Sequence, residues 1–322
     1  MEEAKKVLVN QKQERPGKKL LRFTKENFVI ITFVILFIYS SFASPAFLTI
    51  NNITTVLLQN SIYAICAIGM LLIVITGGID LSVGSYICVC VCFTAGFIQD
   101  GRGILAIVMV LVLSFLFGSI SGVLVAYAKV ASFIATLAMT TILRGAAYMY
   151  QVGQNRRIDG TFWPTFIQSS ILRIPIPVFI LIIIMVIAIF ILKRTKYGRG
   201  IYAIGGNAET ARLAGINVKK YLVITYALGG LLFGIAGTIL AGRLSMGTAT
   251  VGDGYELNAI ASVVVGGATL SGGVGSVSKT VVGAFLMGIL MNIMNLMGIA
   301  SYPQMILKGI IIVCAVLANR GD

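Results

Sequence analysis

The chain is 322 residues long, 58% hydrophobic and only 11% charged, with a mean hydropathy of +0.97, whereas a soluble domain carries about 25% charged residues. So few polar groups cannot cover a water-facing surface, which excludes a soluble globular protein and requires a membrane. The net charge of +14 sits mainly in residues 1–26, with eight Lys/Arg against four Asp/Glu, and in 193–220, with seven against the single Glu209; both clusters abut apolar runs and read as cytoplasmic loops rather than as a nucleic-acid surface.

In chain order, a basic cytoplasmic leader (1–27) precedes the first apolar run at 28–43. Ser41-Phe-Ala43 has the small residues of a signal-peptide cleavage site. The leader is long for a signal n-region, however, and many runs follow, so this one reads as a retained helix. The others lie at 53–75, 83–98, 104–128, 133–150, 174–192, 221–241, 258–270, 280–297 and 302–318. About 20 residues suffice for each crossing, so the expected fold is all-α: a polytopic membrane protein of about ten transmembrane helices, some short or broken, forming one domain over 28–318. With the leader inside, an even count returns the 319–322 tail to the cytoplasm and places the 193–220 loop there too.

The 151–174 loop then lies outside, where Phe162, Trp163 and Phe166 suggest a short interfacial helix. The 258–270 run is too short to cross about 30 Å of hydrocarbon as a regular helix and should be shielded by neighbours. Gly77-Gly-Ile-Asp-Leu-Ser-Val-Gly-Ser85 matches Gly266-Gly-Ala-Thr-Leu-Ser-Gly-Gly-Val-Gly-Ser276 with a two-residue insertion. That offset aligns spans 1–4 with spans 7–10, unless the likeness is chance between glycine-rich turns.

Few residues carry chemistry. Cys66, Cys88, Cys90, Cys92 and Cys314 lie in apolar runs without ligand spacing, and histidine is absent; no metal site and no catalytic residue is predicted. Gly273-Val-Gly-Ser-Val-Ser-Lys279-Thr280 approaches a phosphate loop but has Ser278 where glycine must precede the lysine, so no nucleotide cofactor is expected on this chain. Asp80, Asp100, Asp159, Asp253 and Glu256 fall in connections or at helix ends rather than mid-span, which argues against proton coupling.

Two mid-span cations, Arg144 and Lys308, must face a cavity, carbonyls or the interface. Thr136, Thr140 and Arg144 share one helix face and Asn292 and Asn295 another. With Asn60 and Asn258 they form a candidate translocation path, the competing role being hydrogen bonding between helices. Gly77, Gly78 and Gly84 allow a sharp turn and Asp80 can cap the helix that follows. Gly118-Ser-Ile-Ser-Gly122 and Gly230-Leu-Leu-Phe-Gly234 predict close helix approach.

At Tyr197-Gly-Arg-Gly-Ile-Tyr-Ala-Ile-Gly-Gly-Asn207-Ala-Glu209-Thr-Ala211-Arg-Leu-Ala-Gly215 the chain resembles the ribose-type sugar permeases of bacterial ABC importers. The resemblance recurs at Thr76 to Ser85, Ser132 to Gly145, Gly254 to Ala261 and Ser301-Tyr-Pro-Gln-Met305, and so covers nearly everything after the leader. It implies a permease subunit in the bacterial plasma membrane that pairs with a second copy or close paralogue, takes substrate from an extracytoplasmic sugar-binding protein, and is driven by cytoplasmic ATPase subunits holding ATP and Mg. Glu209 to Gly215 is similar to the coupling motif of importer permeases, with Thr210 replacing an alanine, so Asn207, Glu209, Ala211, Arg212 and Gly215 become the candidate ATPase-coupling loop. Leu244 to Thr250 departs from the pattern of ribose permeases and leaves the sugar open. An ion-driven secondary carrier of a small polar solute and a non-transporting scaffold are the alternatives.

Overall fold

The computed structural model describes residues 27–318; the leader up to residue 26 and the 319–322 tail, both expected in the cytoplasm, lie outside the described residues. Thirteen α-helices are present among the described residues: α1 (Phe28–Ala43), α2 (Ile50–Ile75), α3 (Val83–Gln99), α4 (Ile104–Ala126), α5 (Ser132–Gln151), α6 (Phe162–Gln168), α7 (Ile176–Arg194), α8 (Lys196–Gly206), α9 (Ala208–Leu213), α10 (Val218–Leu244), α11 (Tyr255–Val265), α12 (Val277–Leu296) and α13 (Ser301–Ala318). Each of the ten apolar runs falls on one helix. Five of these, α2, α4, α7, α10 and α12, are long and apolar enough to cross a membrane by length and composition. The chain is an all-α, multi-pass membrane protein.

Side chains that face lipid need no partner, whereas backbone groups do, and the packing follows that asymmetry. The inner part of α2 and nearly all of α3 are buried, together with much of α10 and α11, while α4, α7 and α13 expose large apolar residues outward. Glycines let α4 and α10 cross with backbones almost touching. A Cβ on Gly118 would stand 2.4 Å from the Tyr226 carbonyl oxygen, and one on Gly230 would stand 2.6 Å from that of Ser114, so the two predicted small-residue motifs meet each other.

Helix α11 has 11 residues and is about 16 Å long, bounded by non-helical chain at 245–254 and 266–276. The predicted run of 258–270 is thereby moved: Gly254, in left-handed conformation, precedes the first turn, and Gly267 at φ +84 stops the helix. The two halves of the internal repeat end in one geometry. The Gly78 amide reaches back to the Ile73 carbonyl and the Gly77 amide to that of Val74; the Ala268 amide likewise reaches Val263 and that of Gly267 reaches Val264. Both are Schellman endings, with left-handed Gly77 and Gly267 at the turn. Gly77 therefore corresponds to Gly267, one residue beyond the partner that sequence matching picks.

The 151–174 loop contains the expected helix, but α6 is fastened to the protein rather than only floating at an interface. Trp163 is buried and its Nε1 donates to the Thr238 carbonyl at 2.7 Å, and Gln168 Nε2 donates to that of Gly242 at 2.9 Å. Two short ladders, unforeseen in the sequence, complete this end: β1 (Arg156–Arg157) pairs with β4 (Met246–Gly247), and β2 (Ser170–Ile171) with β3 (Ile174–Pro175).

Candidate functional site

Helices α2, α11, α12 and α13 enclose a cavity of about 160 Å³. Helix α2 supplies Thr55, Gln59, Asn60 and Tyr63; α11 supplies Asn258 and Ser262; α12 supplies Gly288, Asn292 and Asn295; α13 supplies Gln304 and Lys308. Four of the candidate path residues, Asn60, Asn258, Asn292 and Asn295, are thus brought together. The polar part of the lining is amide and hydroxyl, with Lys308 its one charge and no carboxylate among the described residues, and Val56, Ala284, Met287 and Met291 supply an apolar part. Such groups offer both donors and acceptors, which suits a neutral solute dense in hydroxyls.

The amides differ in how they are engaged. Asn292 and Asn52 exchange two hydrogen bonds, at 2.8 and 3.1 Å, and Gln304 Nε2 donates to Asn295 Oδ1 at 2.7 Å. Asn60, only 2% exposed, packs over Gly288, where a Cβ would stand 1.7 Å from Asn60 Oδ1. Its Nδ2 has no protein partner. A buried amide donor left unpaired costs about 1–3 kcal/mol, a cost the fold carries beside the cavity.

Thr136, Thr140 and Arg144 do not line this cavity. With Ser132 they form one stripe on α5, and the stripe holds irregular backbone. The Ile79 amide donates to Ser132 Oγ at 3.3 Å, the Leu81 amide donates to Thr136 Oγ1 at 3.1 Å, and Thr140 Oγ1 donates to the Leu81 carbonyl at 3.0 Å. Arg144 Nη1 donates to the Val251 carbonyl at 2.7 Å, and Nη2 pairs with Asp253 at 2.6 Å. The unwound chain preceding α3 and preceding α11 thus finds the partners that lipid cannot give it.

The Asp80 connection is likewise built for packing. Asp80 lies between helices, as its position implies, but is 1% exposed. Rather than capping the first turn of α3, it accepts from the amide and hydroxyl of Ser82, an Asx turn that sets the entry into the helix. Only Gly77 has a positive φ. Gly78 and Gly84 are needed instead for close approach, since a Cβ would stand 2.5 Å from the Tyr226 hydroxyl and 2.2 Å from the Gly252 carbonyl oxygen, respectively.

At the end of the bundle where α7 stops, residues 195–217 fold into α8 and α9. Asn207 Oδ1 caps α9 by accepting from the Thr210 amide at 2.8 Å, and Gly215 at φ +86 ends it, with the Ile216 amide bonded to the Ala211 carbonyl. Ala211 is buried, while Glu209 and Arg212 face outward in a two-bonded pair of 2.6 and 2.9 Å. Those bonds from Arg212 hold the Glu209 carboxyl below the usual carboxylate range. The five loop residues named from sequence therefore form one capped unit.

Gln59, Tyr63, Ser262 and Gly288 carried no functional signal in the sequence, because a single polar or small residue in a span does not reveal which helix it faces. Gln304 lies in the Ser301 to Met305 segment that carries the resemblance, and Lys308 stands out as a mid-span charge; those were signals.

A multi-pass bundle with interrupted helices around a polar cavity, and with a structured loop at one end, has the architecture of a membrane permease. The chain belongs to the family described as the permease component of the branched-chain amino acid transport system, which its residues 52–316 match. It is 41% identical to the ribose import permease protein RbsC of Haemophilus influenzae over 96% of this chain and 97% of that one. It is 42% identical to the Escherichia coli protein of the same name, over 90% and 92%. It is 33% identical to the xylose transport system permease protein XylH of Escherichia coli, over 89% and 88%. No solved structure matches.

Proposed function

We propose that this chain is the membrane-spanning permease subunit of an ATP-binding-cassette importer that carries a monosaccharide, ribose or a similar sugar, into the cell. The observation that carries the reading is the cavity of about 160 Å³, whose polar lining is amides and hydroxyls with Lys308 and, among the described residues, no carboxylate. The family, and relatives named for ribose and xylose transport, support the same class of cargo. The family is named for amino acid transport, but a zwitterionic cargo calls for a countercharge to its ammonium, and the lining holds no carboxylate among the described residues.

In this reading ten helices cross the bacterial inner membrane and both termini are cytoplasmic. The basic 193–220 loop then lies inside, with the capped helix α9 presented to cytoplasmic ATPase subunits that hold ATP and Mg. An extracytoplasmic sugar-binding protein delivers substrate, and a second permease copy or close paralogue completes the path. ATP-driven closure of the ATPases biases the inward-open against the outward-open state.

The test is reconstitution in proteoliposomes with the cognate ATPase and binding protein, with a panel of pentoses and hexoses screened for stimulation of ATP hydrolysis. Stimulation by at least one sugar is expected. Uptake that needs an ion gradient and ignores ATP would instead establish a secondary carrier.

A further inference from the structure

Three stretches of backbone meet without intervening side chains where α8 ends. The carbonyl of Ile75, the last residue of α2, accepts from the Gly273 amide at 2.9 Å. Gly205, in the last turn of α8, lies against both groups: a Cβ there would stand 1.8 Å from the Ile75 oxygen and 2.4 Å from the Gly273 nitrogen. Gly272, at φ +93, closes the junction from the other side, since its Cβ would stand 2.8 Å from the Gly77 nitrogen and 2.9 Å from the Gly205 oxygen. Tyr202, one turn earlier on α8, fastens the contact with a 2.8 Å bond from its hydroxyl to the Gly275 carbonyl.

Helix α8 thus touches both connections of the internal repeat at once. The same end of α8 is tied to α9 without slack, because Asn207 closes α8 and caps α9. Beyond the junction lie α2, which carries Asn60, and the 266–276 connection between α11 and α12, which carry Asn258 and Asn292. Closely packed backbone has no side-chain rotamer with which to absorb a displacement, so it transmits strain.

We propose that Gly205 and Tyr202 are positioning residues for coupling: through them a movement of α9 shifts the ends of α2 and α11 together and so opens or closes the amide-lined cavity. This rests on α9 being the ATPase-docking helix. A substitution at the junction should leave docking intact and cut the link between docking and the cavity. Gly206, the next residue, has no atom within 4 Å of a built Cβ and provides the control.

The experiment compares wild type, Gly205→Ala, Gly206→Ala and Tyr202→Phe, each reconstituted with the cognate ATPase and binding protein. Co-purification of the ATPase reports docking; sugar-stimulated hydrolysis and sugar uptake report coupling. Gly205→Ala should keep the ATPase bound and lose stimulation by about ten- to thirty-fold, Tyr202→Phe by about two- to five-fold, and Gly206→Ala should match wild type. Full stimulation in Gly205→Ala, or an equal loss in Gly206→Ala, overturns the junction while leaving the importer reading in place. If Gly205→Ala does not insert, unchanged stimulation in Tyr202→Phe overturns it. A wild type that no sugar stimulates overturns the importer reading and the junction's role with it.

Discussion

Asn60 and Arg144 are both polar residues in apolar helices, and their surroundings give them opposite roles. The guanidinium of Arg144 is bonded to the Val251 carbonyl and Asp253, whereas the buried amide nitrogen of Asn60 has no protein partner. Arg144→Met should therefore destabilise the fold by about 1–3 kcal/mol, seen as a lower melting temperature in detergent. Asp253→Asn should cost less, because Asp253 is 85% exposed. Asn60→Leu should leave the melting temperature unchanged or raise it, since it removes an unpaired buried donor, and yet reduce sugar uptake; a large loss of stability would show that the amide is structural. The sequence places Thr136, Thr140 and Arg144 on one face because four-residue spacing fixes that. It cannot say that the face meets the backbone of 79–81 and 249–253, because those contacts join residues more than fifty positions apart.

At the scale of elements, every apolar run becomes a helix, because the pattern and length of apolar residues determine that locally, whereas the ends depend on single turns. Gly254 and Gly267 trim α11 to 11 residues, and nothing in the hydrophobic pattern marks that cut. The Gly118 and Gly230 motifs were legible as close-packing surfaces; that they pack on each other was not, since each is compatible with any smooth partner. Gly230→Ala should push α4 from α10 and cost about 1–3 kcal/mol as overpacking, measurable by unfolding in detergent. At Gly215 the surroundings are open. Gly215→Ala there should strain only the left-handed turn, at about 1–2 kcal/mol, fray α9 and lower sugar-stimulated ATP hydrolysis, with insertion and global melting little changed. Equal hydrolysis in wild type and variant would show that the turn does not serve coupling.

For the whole molecule, composition alone requires a membrane, and the two basic clusters suggest which side faces the cytoplasm. One of those clusters folds into the capped α8–α9 unit and touches both repeat connections; the cavity lies between α2, α11, α12 and α13. The burial of Asp80 was not readable from the sequence, because a connection drawn on a sequence looks exposed. Asp80 lies outside the cavity lining. In the proposed function, ATP hydrolysed on partner subunits drives a neutral sugar through this chain. The most direct measurement is uptake of labelled ribose and xylose by proteoliposomes that contain the chain, its ATPase and its binding protein, with ATP supplied and ion gradients collapsed by ionophores. Uptake of at least one of these sugars should continue with ionophore present and stop without ATP. Uptake that persists without ATP and is abolished by the ionophore would contradict the proposed function.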